Sequence, residues 1–205
     1  MAPAQGDRAM NRRWLRATAA SATLFAALFV AAAALAPQPR LIWNASPSVP
    51  IGFYRVDVGA EPAVGDLILF HPPEAVAARL AVRGYVPRGV PLLKHVAAGE
   101  GALVCRSGTF VTIDGAPAAR ARDADRVGRP LPRWLGCHRL RPGELFLLNP
   151  APDSLDGRYF GPLPDTGVVG VAHPLLVRAA PGAPLRWRRD ADRSAFTPEG
   201  KDMSS

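Results

Sequence analysis

Asn44-Ala45-Ser46-Pro47-Ser48-Val49-Pro50-Ile51-Gly52-Phe53-Tyr54 follows the only long apolar run in the sequence. Proline fixes φ and glycine admits conformations closed to other residues, so this segment reads as a stiff, specifically shaped turn. Two serines stand two positions apart on it, Ser46 and Ser48. Such a turn can present a nucleophile, although Ser, Pro and Gly also build ordinary turns. What lies on either side decides between these readings.

Upstream, Arg8, Arg12, Arg13 and Arg16 precede an uncharged run from Ala17 to Ala36. At about 1.5 Å per residue, a helix of this length covers the roughly 30 Å hydrocarbon core of a bilayer. The arginine bias predicts residues 1–16 in the cytoplasm, an anchor at 17–36 and the remainder outside. A cleaved signal peptide is the competing reading, because Ala34-Leu35-Ala36 resembles a small-residue cleavage site. The length of the run and Pro37 just after the scissile position favour an uncleaved anchor.

Downstream, 22 prolines and 19 glycines in a chain of 205 residues demand many turns and few long helices. The fold expected is therefore mainly β, with a single domain over residues 37–178. Strands are expected at Gly52–Val56, Asp66–His71, Leu92–Val96, Ala102–Cys105, Thr109–Ile113, Glu144–Asn149 and Gly167–Ala172. One helix is expected at Glu74–Arg83, between Pro73 and Gly84. Asp114-Gly115 is a hairpin signal. Residues 116–133 read as an exposed loop, and residues 179–205 as a basic, disordered tail.

A net charge of +8 comes almost wholly from arginine. The arginines are scattered and accompany no zinc-finger spacing or basic helix, so no nucleic-acid partner is expected. Cys105 and Cys137 would be two buried thiols in a cytosolic protein and a disulfide outside the inner membrane. The topology above favours the disulfide. No His-Glu-x-x-His or multi-cysteine pattern suggests a metal, and no cofactor is expected.

Lys94 is the chemical anomaly. It is one of only two lysines, the other being Lys201, and it stands among Leu92, Leu93 and Val96. Arginine keeps its proton in proteins, whereas a desolvated lysine can lose it. A position that needs a neutral amine must keep lysine even where composition favours arginine. The alternative is a strand lysine that extends its head to water. A serine nucleophile with a lysine base is a known variant of the serine-protease arrangement. His71, His95, His138 and His173 stand in no triad-like motif, and no Gly-x-Ser-x-Gly elbow exists.

Ser46-Pro-Ser48-Val-Pro-x-Gly-x-Tyr54, Leu92-Leu-Lys94-x-Val96 and Asp153-Ser154-x-Asp156-x-Arg158-Tyr-Phe-Gly161 resemble the successive boxes of the Ser/Lys type I signal peptidases. The resemblance is strongest to the conjugative-transfer TraF-type branch and covers roughly residues 40–175. It implies Ser48 as nucleophile and Lys94 as general base. The Ser48 N–H and the Ser46 hydroxyl would form an oxyanion hole, Ser154 would orient the lysine, and Asp156 would pair with Arg158. Val49 and His95 stand where methionine and arginine are usual, and Leu148-Asn149-Pro150-Ala151 replaces the usual Gly-Asp-Asn-Arg.

The reading that follows is an N-terminal transmembrane helix and a signal-peptidase-like domain of antiparallel sheets in a bacterial inner membrane. The domain would face the periplasm as a serine endopeptidase acting on an exported precursor such as a conjugative pilin. The acyl-enzyme would be resolved by water or, with cyclisation, by the precursor's own amino terminus. Its partners would be the bilayer, that precursor and other transfer-apparatus proteins. The rivals are a housekeeping signal peptidase and a non-catalytic scaffold of a secretion apparatus.

Overall fold

Between Asp7 and Leu35 the chain holds neither glycine nor proline and is rich in alanine, the best helix former. It makes one helix, α1 (Gly6–Leu35), which reaches past the charge-free run into the arginine-bearing stretch. Its segment Arg12–Ala32 is long and apolar enough to cross a membrane. The Thr18 and Thr23 hydroxyls donate back to the carbonyls of Trp14 and Ala19, both at 2.9 Å, which satisfies them within an apolar helix. The computed structural model describes residues 6–35, 40–178, 180 and 182–188.

The unit after α1 is built on antiparallel strands. Its larger sheet comprises β1 (Leu41–Asn44), β2 (Ile51–Val58), β3 (Leu67–Phe70), β4 (Leu92–Ala98), β9 (Glu144–Leu148), β10 (Leu163–Pro164), β11 (Val168–Arg178) and β12 (Arg186–Trp187). The order is β1-β2-β11-β3-β4-β9-β10, and β12 also pairs with β11. A smaller sheet holds β5 (Leu103–Ser107), β6 (Phe110–Ile113), β7 (Ala116–Arg120) and β8 (Gly136–Arg139), in the order β7-β6-β5-β8. Helix α2 (Glu74–Val82) follows β3, and the short α3 (Gly157–Phe160) precedes β10.

Strands β3 and β4 are central and covered on both faces, which is why they read as apolar runs rather than alternations. Leu69 and Leu93 pack with Val49, Tyr54 and Val56. Ile68, Phe70 and Val96 pack with Leu145 and Leu147 on the other face. A third cluster joins the sheets, with Ala97, Ala98 and Phe146 from the larger meeting Val104 and Val111 from the smaller. Cys105 and Cys137 are directly opposed on β5 and β8 and form a disulfide.

Residues 116–120 depart from the exposed loop expected over 116–133, whereas residues 121–133 hold no helix or strand and are mostly exposed. Asp114 and Gly115 both have positive φ, 50° and 83°, as a tight hairpin turn requires, and the chain returns along β6 as β7. Ala118, Ala121 and Leu131 are buried, and the last two pack against Tyr159. The alternation was masked by small alanines that bury as well as larger apolar residues. Strands β1, β8 and β12 also lack a sequence signal; each is four residues or fewer. The expected tail is ordered at Arg186–Trp187, where β12 pairs with Leu176 and Val177; residues 189–205 lie outside the described residues, as do residues 1–5 and Ala36 of the expected anchor.

Candidate active site

The serine turn is tied down by its own neighbours. Asn44, the last residue of β1, donates through Nδ2 to the carbonyls of Ser46, Val49 and Pro50 at 2.8, 3.2 and 3.0 Å. Its Oδ1 accepts from the Ser46 N–H at 3.0 Å. Val49 is buried, and the buried Tyr54 donates its hydroxyl to the Pro50 carbonyl. Burial pushes the Tyr54 phenol above its ordinary range, so it stays a donor. Gly52 lies where β11 crosses closest; a Cβ there would meet the Leu176 carbonyl oxygen at 2.1 Å. On this frame the Ser46 and Ser48 hydroxyls lie 3.1 Å apart, and the Ser48 N–H donates to Ser46 Oγ at 3.4 Å.

Lys94 sits mid-strand in β4, opposite Ile68 of β3. Only 6% of it is exposed. Its Nζ donates to Ser154 Oγ at 2.8 Å, and Ser154 is itself buried. Burial pushes the amine from 10.5 down to about 8; the Asp156 carboxylate opposes this shift and the Arg158 guanidinium adds to it. The strand lysine with its head in water is therefore not what this chain builds. An amine in this state is partly neutral near physiological pH and can accept a proton.

Asp156 and Arg158 form a buried ion pair, Nε to Oδ1 at 2.9 Å, with side chains 0% and 4% exposed. A surface pair would contribute little, but this one organises the segment around Ser154. Asp156 caps α3 by accepting from the Arg158 N–H at 3.2 Å, and it also accepts from the Asn149 N–H at 3.0 Å. Arg158 donates to the carbonyls of Asn149 and Ala151.

Asn149 and Arg106 are supports that sequence reasoning missed. Asn149 is 1% exposed; its Nδ2 donates to the Leu93 carbonyl at 3.0 Å and its Oδ1 accepts from the His95 N–H at 3.2 Å. It therefore clamps the backbone on both sides of Lys94. Its position after an apolar strand, where the resembled family carries a different motif, was the available signal. Arg106 is 2% exposed, donates to the carbonyls of Arg158, Pro132 and Gly108, and so ties the smaller sheet to the α3 segment. Nothing local distinguishes it from the many surface arginines.

A cavity of about 630 Å³ brings Ser46, Ser48, Lys94 and Ser154 into one lining. Within it, Lys94 Nζ is hydrogen-bonded to Ser154, and Ser48 Oγ faces Ser46. One wall is clasped shut by Tyr85, which donates to Asp125, and by Arg129, whose Nε reaches the same carboxylate at 2.7 Å. Arg126 pairs with Asp153 beside Ser154. His95 points away from Lys94, into a second cavity, and hydrogen-bonds Asn149 Oδ1 at 3.2 Å. His138 and His173 pair with Glu144 and Asp57 at 2.8 and 3.0 Å. Among the described residues no cluster of His, Cys, Asp or Glu could hold a metal ion.

The family model for signal peptidase, peptidase S26, matches residues 12–176. A conjugal transfer protein TraF of Agrobacterium tumefaciens (strain 15955) is 40% identical over 165 residues, covering 74% of this chain and 91% of the relative. A plasmid transfer protein TraF of Escherichia coli is 32% identical over 162 residues, covering 74% and 90%. A signal peptidase I crystal structure from Enterococcus faecalis V583 aligns with 54% of this chain and 96% of its own, at 20% identity and a TM-score of 0.33.

Proposed function

The chain belongs to the signal peptidase, peptidase S26, family, and from that premise we propose a membrane-anchored serine endopeptidase with a Ser48/Lys94 dyad. The observation that carries this reading is the buried Lys94 amine, held by Ser154 at 2.8 Å in the same cavity as Ser48. Neutral Lys94 takes the Ser48 hydroxyl proton as Oγ attacks the scissile carbonyl. The Ser48 N–H and the Ser46 hydroxyl, now bonded to each other, turn to the developing oxyanion. The protonated Lys94 then gives its proton to the leaving amine, and an acyl-enzyme remains on Ser48.

The substrate we propose is an exported precursor of a conjugation apparatus, such as a pilin. The names of the relatives, conjugal and plasmid transfer proteins, support this over a housekeeping signal peptidase or a silent scaffold. Helix α1 would anchor the chain in the inner membrane with its N-terminus cytoplasmic, as the arginines preceding the apolar run favour. The Cys105–Cys137 disulfide supports a periplasmic domain, since such bonds persist in oxidising compartments. The acyl group would leave to water or to the precursor's own amino terminus.

Co-expression with a pilin precursor of the same transfer system tests the reading through intact product mass. Wild type should process the precursor, whereas Ser48→Ala and Lys94→Arg should leave it intact. A product lighter by one further water would mean cyclisation. Processing by Lys94→Arg would overturn the neutral-lysine mechanism.

A further inference from the structure

Ser48 borders two cavities. Besides the one it shares with Lys94, a second of about 360 Å³ is lined by the turn from Pro47 to Ile51, by Pro150 and Ala151, and by His95 and Arg178. Lys94 and His95 are successive residues of β4 and so project to opposite faces, which puts the two cavities on either side of that strand. A polypeptide crossing Ser48 therefore has room on both sides. The larger cavity is lined by Trp43 and Asn44 of β1, the edge strand of its sheet among the described residues, so an extended chain could add along that edge. It suits the long acyl side of a substrate. The smaller cavity suits a short segment beyond the cleaved bond.

The smaller cavity has a definite chemistry. Its ionisable lining residues are His95 and Arg178, and no carboxylate is among them. Arg178 ends β11, with its backbone registered against Ile51 just after the serine turn. Its Nε is buried with no hydrogen-bond partner, and among the described residues its side chain has no ion pair. The residue as a whole is half-buried and lines the cavity, so an acceptor that arrives there with a ligand meets a guanidinium that has no ion pair among the described residues. For a guanidinium the matched acceptor is a carboxylate, bound through two parallel N–H donors.

Resting on the Ser48 peptidase reading, we propose that this cavity is the leaving-side subsite and that Arg178 recognises a carboxylate there. The carboxylate would be an acidic side chain within a few residues after the scissile bond, or the terminal carboxylate of a short leaving peptide.

Three internally quenched peptides test this on the full chain in detergent. They share an alanine-rich acyl side and carry on the leaving side a glutamate with an amidated terminus, a glutamine with an amidated terminus, or a glutamine with a free terminus. Binding is read by fluorescence on the Ser48→Ala chain, independently of turnover, and kcat/KM on the chain with Ser48 intact. One acidic peptide should bind more tightly than the neutral one by on the order of tenfold. Which of the two does so identifies the source of the carboxylate. Arg178→Gln should abolish the preference and Arg178→Lys should retain most of it. Equal binding of all three peptides, or a preference that survives Arg178→Gln, overturns the proposal. Binding that follows Arg178 while the Ser48-intact chain cleaves none of the peptides upholds the subsite and counts against the peptidase reading. Cleavage of all three without discrimination does the reverse.

Discussion

Lys94 Nζ donates a 2.8 Å hydrogen bond to Ser154 Oγ, joining two residues 60 positions apart. That contact places the amine on a buried hydroxyl, at a residue only 6% exposed. Its consequences can be measured.

The amine's ordinary value of 10.5 falls to about 8 on burial. In the proposed Ser48/Lys94 mechanism the neutral form is the base, so kcat/KM should rise with pH through about 8 and level off above it. A pH profile on the wild-type chain checks this, and a limb near 10.5 would contradict a buried base.

The same burial has a sign for stability. Between about 8 and 10.5 the unfolded chain holds a proton on Lys94 that the folded chain has released, so stability rises with pH across that window. Below it the folded state carries the full cost of burying the charge. Lys94→Met should therefore stabilise the fold at pH 7, by at most roughly 3 kcal/mol, and raise the thermal midpoint. The gain should shrink as pH rises from 8 to 10.5. Thermal melts of both chains at a series of pH values read this out.

Ser154→Ala removes the partner that fixes the amine while leaving the cavity it shares with Ser48 in place. We expect kcat to fall by about 10- to 100-fold with little change in KM. A rise in KM alone would mean that Ser154 acts on substrate rather than on Lys94.

Among the described residues, Arg158 is the one cation in an ion pair with the fully buried Asp156 carboxylate. Arg158→Met removes the ion-pair partner of that buried charge and should cost about 3–5 kcal/mol in chemical denaturation. Adding Asp156→Asn should recover part of the loss, because the stranded charge is then gone.

Gly52→Ala places a methyl group 2.1 Å from the Leu176 carbonyl oxygen. Strands β2 and β11 would have to separate beside the serine turn, at a cost on the order of 4 kcal/mol. Thermal melting would show the loss, and Gly59→Ala, whose added Cβ meets nothing within 4 Å, serves as the milder comparison.

Much of the candidate site is legible in the sequence. Ser48 lies on a turn punctuated by Pro47, Pro50 and Gly52, and Lys94 stands out against an arginine-using background. Ser154, Asp156 and Arg158 follow as a third box in order. The strands that present them were legible too, because β3, β4 and β9 are apolar runs bounded by turns. Less visible were Asn44, Asn149 and Arg106. An asparagine after a strand reads as a turn residue, and only the arrival of Leu93 and His95 from 54 to 56 positions away makes Asn149 a clamp. Strand β7 within the 116–133 segment is not legible because alanines carry little hydrophobic signal, although Ala118 and Ala121 are buried.

By itself the sequence determined the apolar N-terminal helix, the β-rich domain and the residue types able to do the chemistry. Each of these depends on local pattern: run length, turn residues and the difference between an amine and a guanidinium. The tertiary structure alone decided that Lys94 is desolvated, that the Asp156–Arg158 pair is buried rather than on the surface, and that Ser48 borders two cavities. Those properties arise where β4, β9, the serine turn and the α3 segment converge, and desolvation belongs to the assembled surroundings rather than to any stretch of chain.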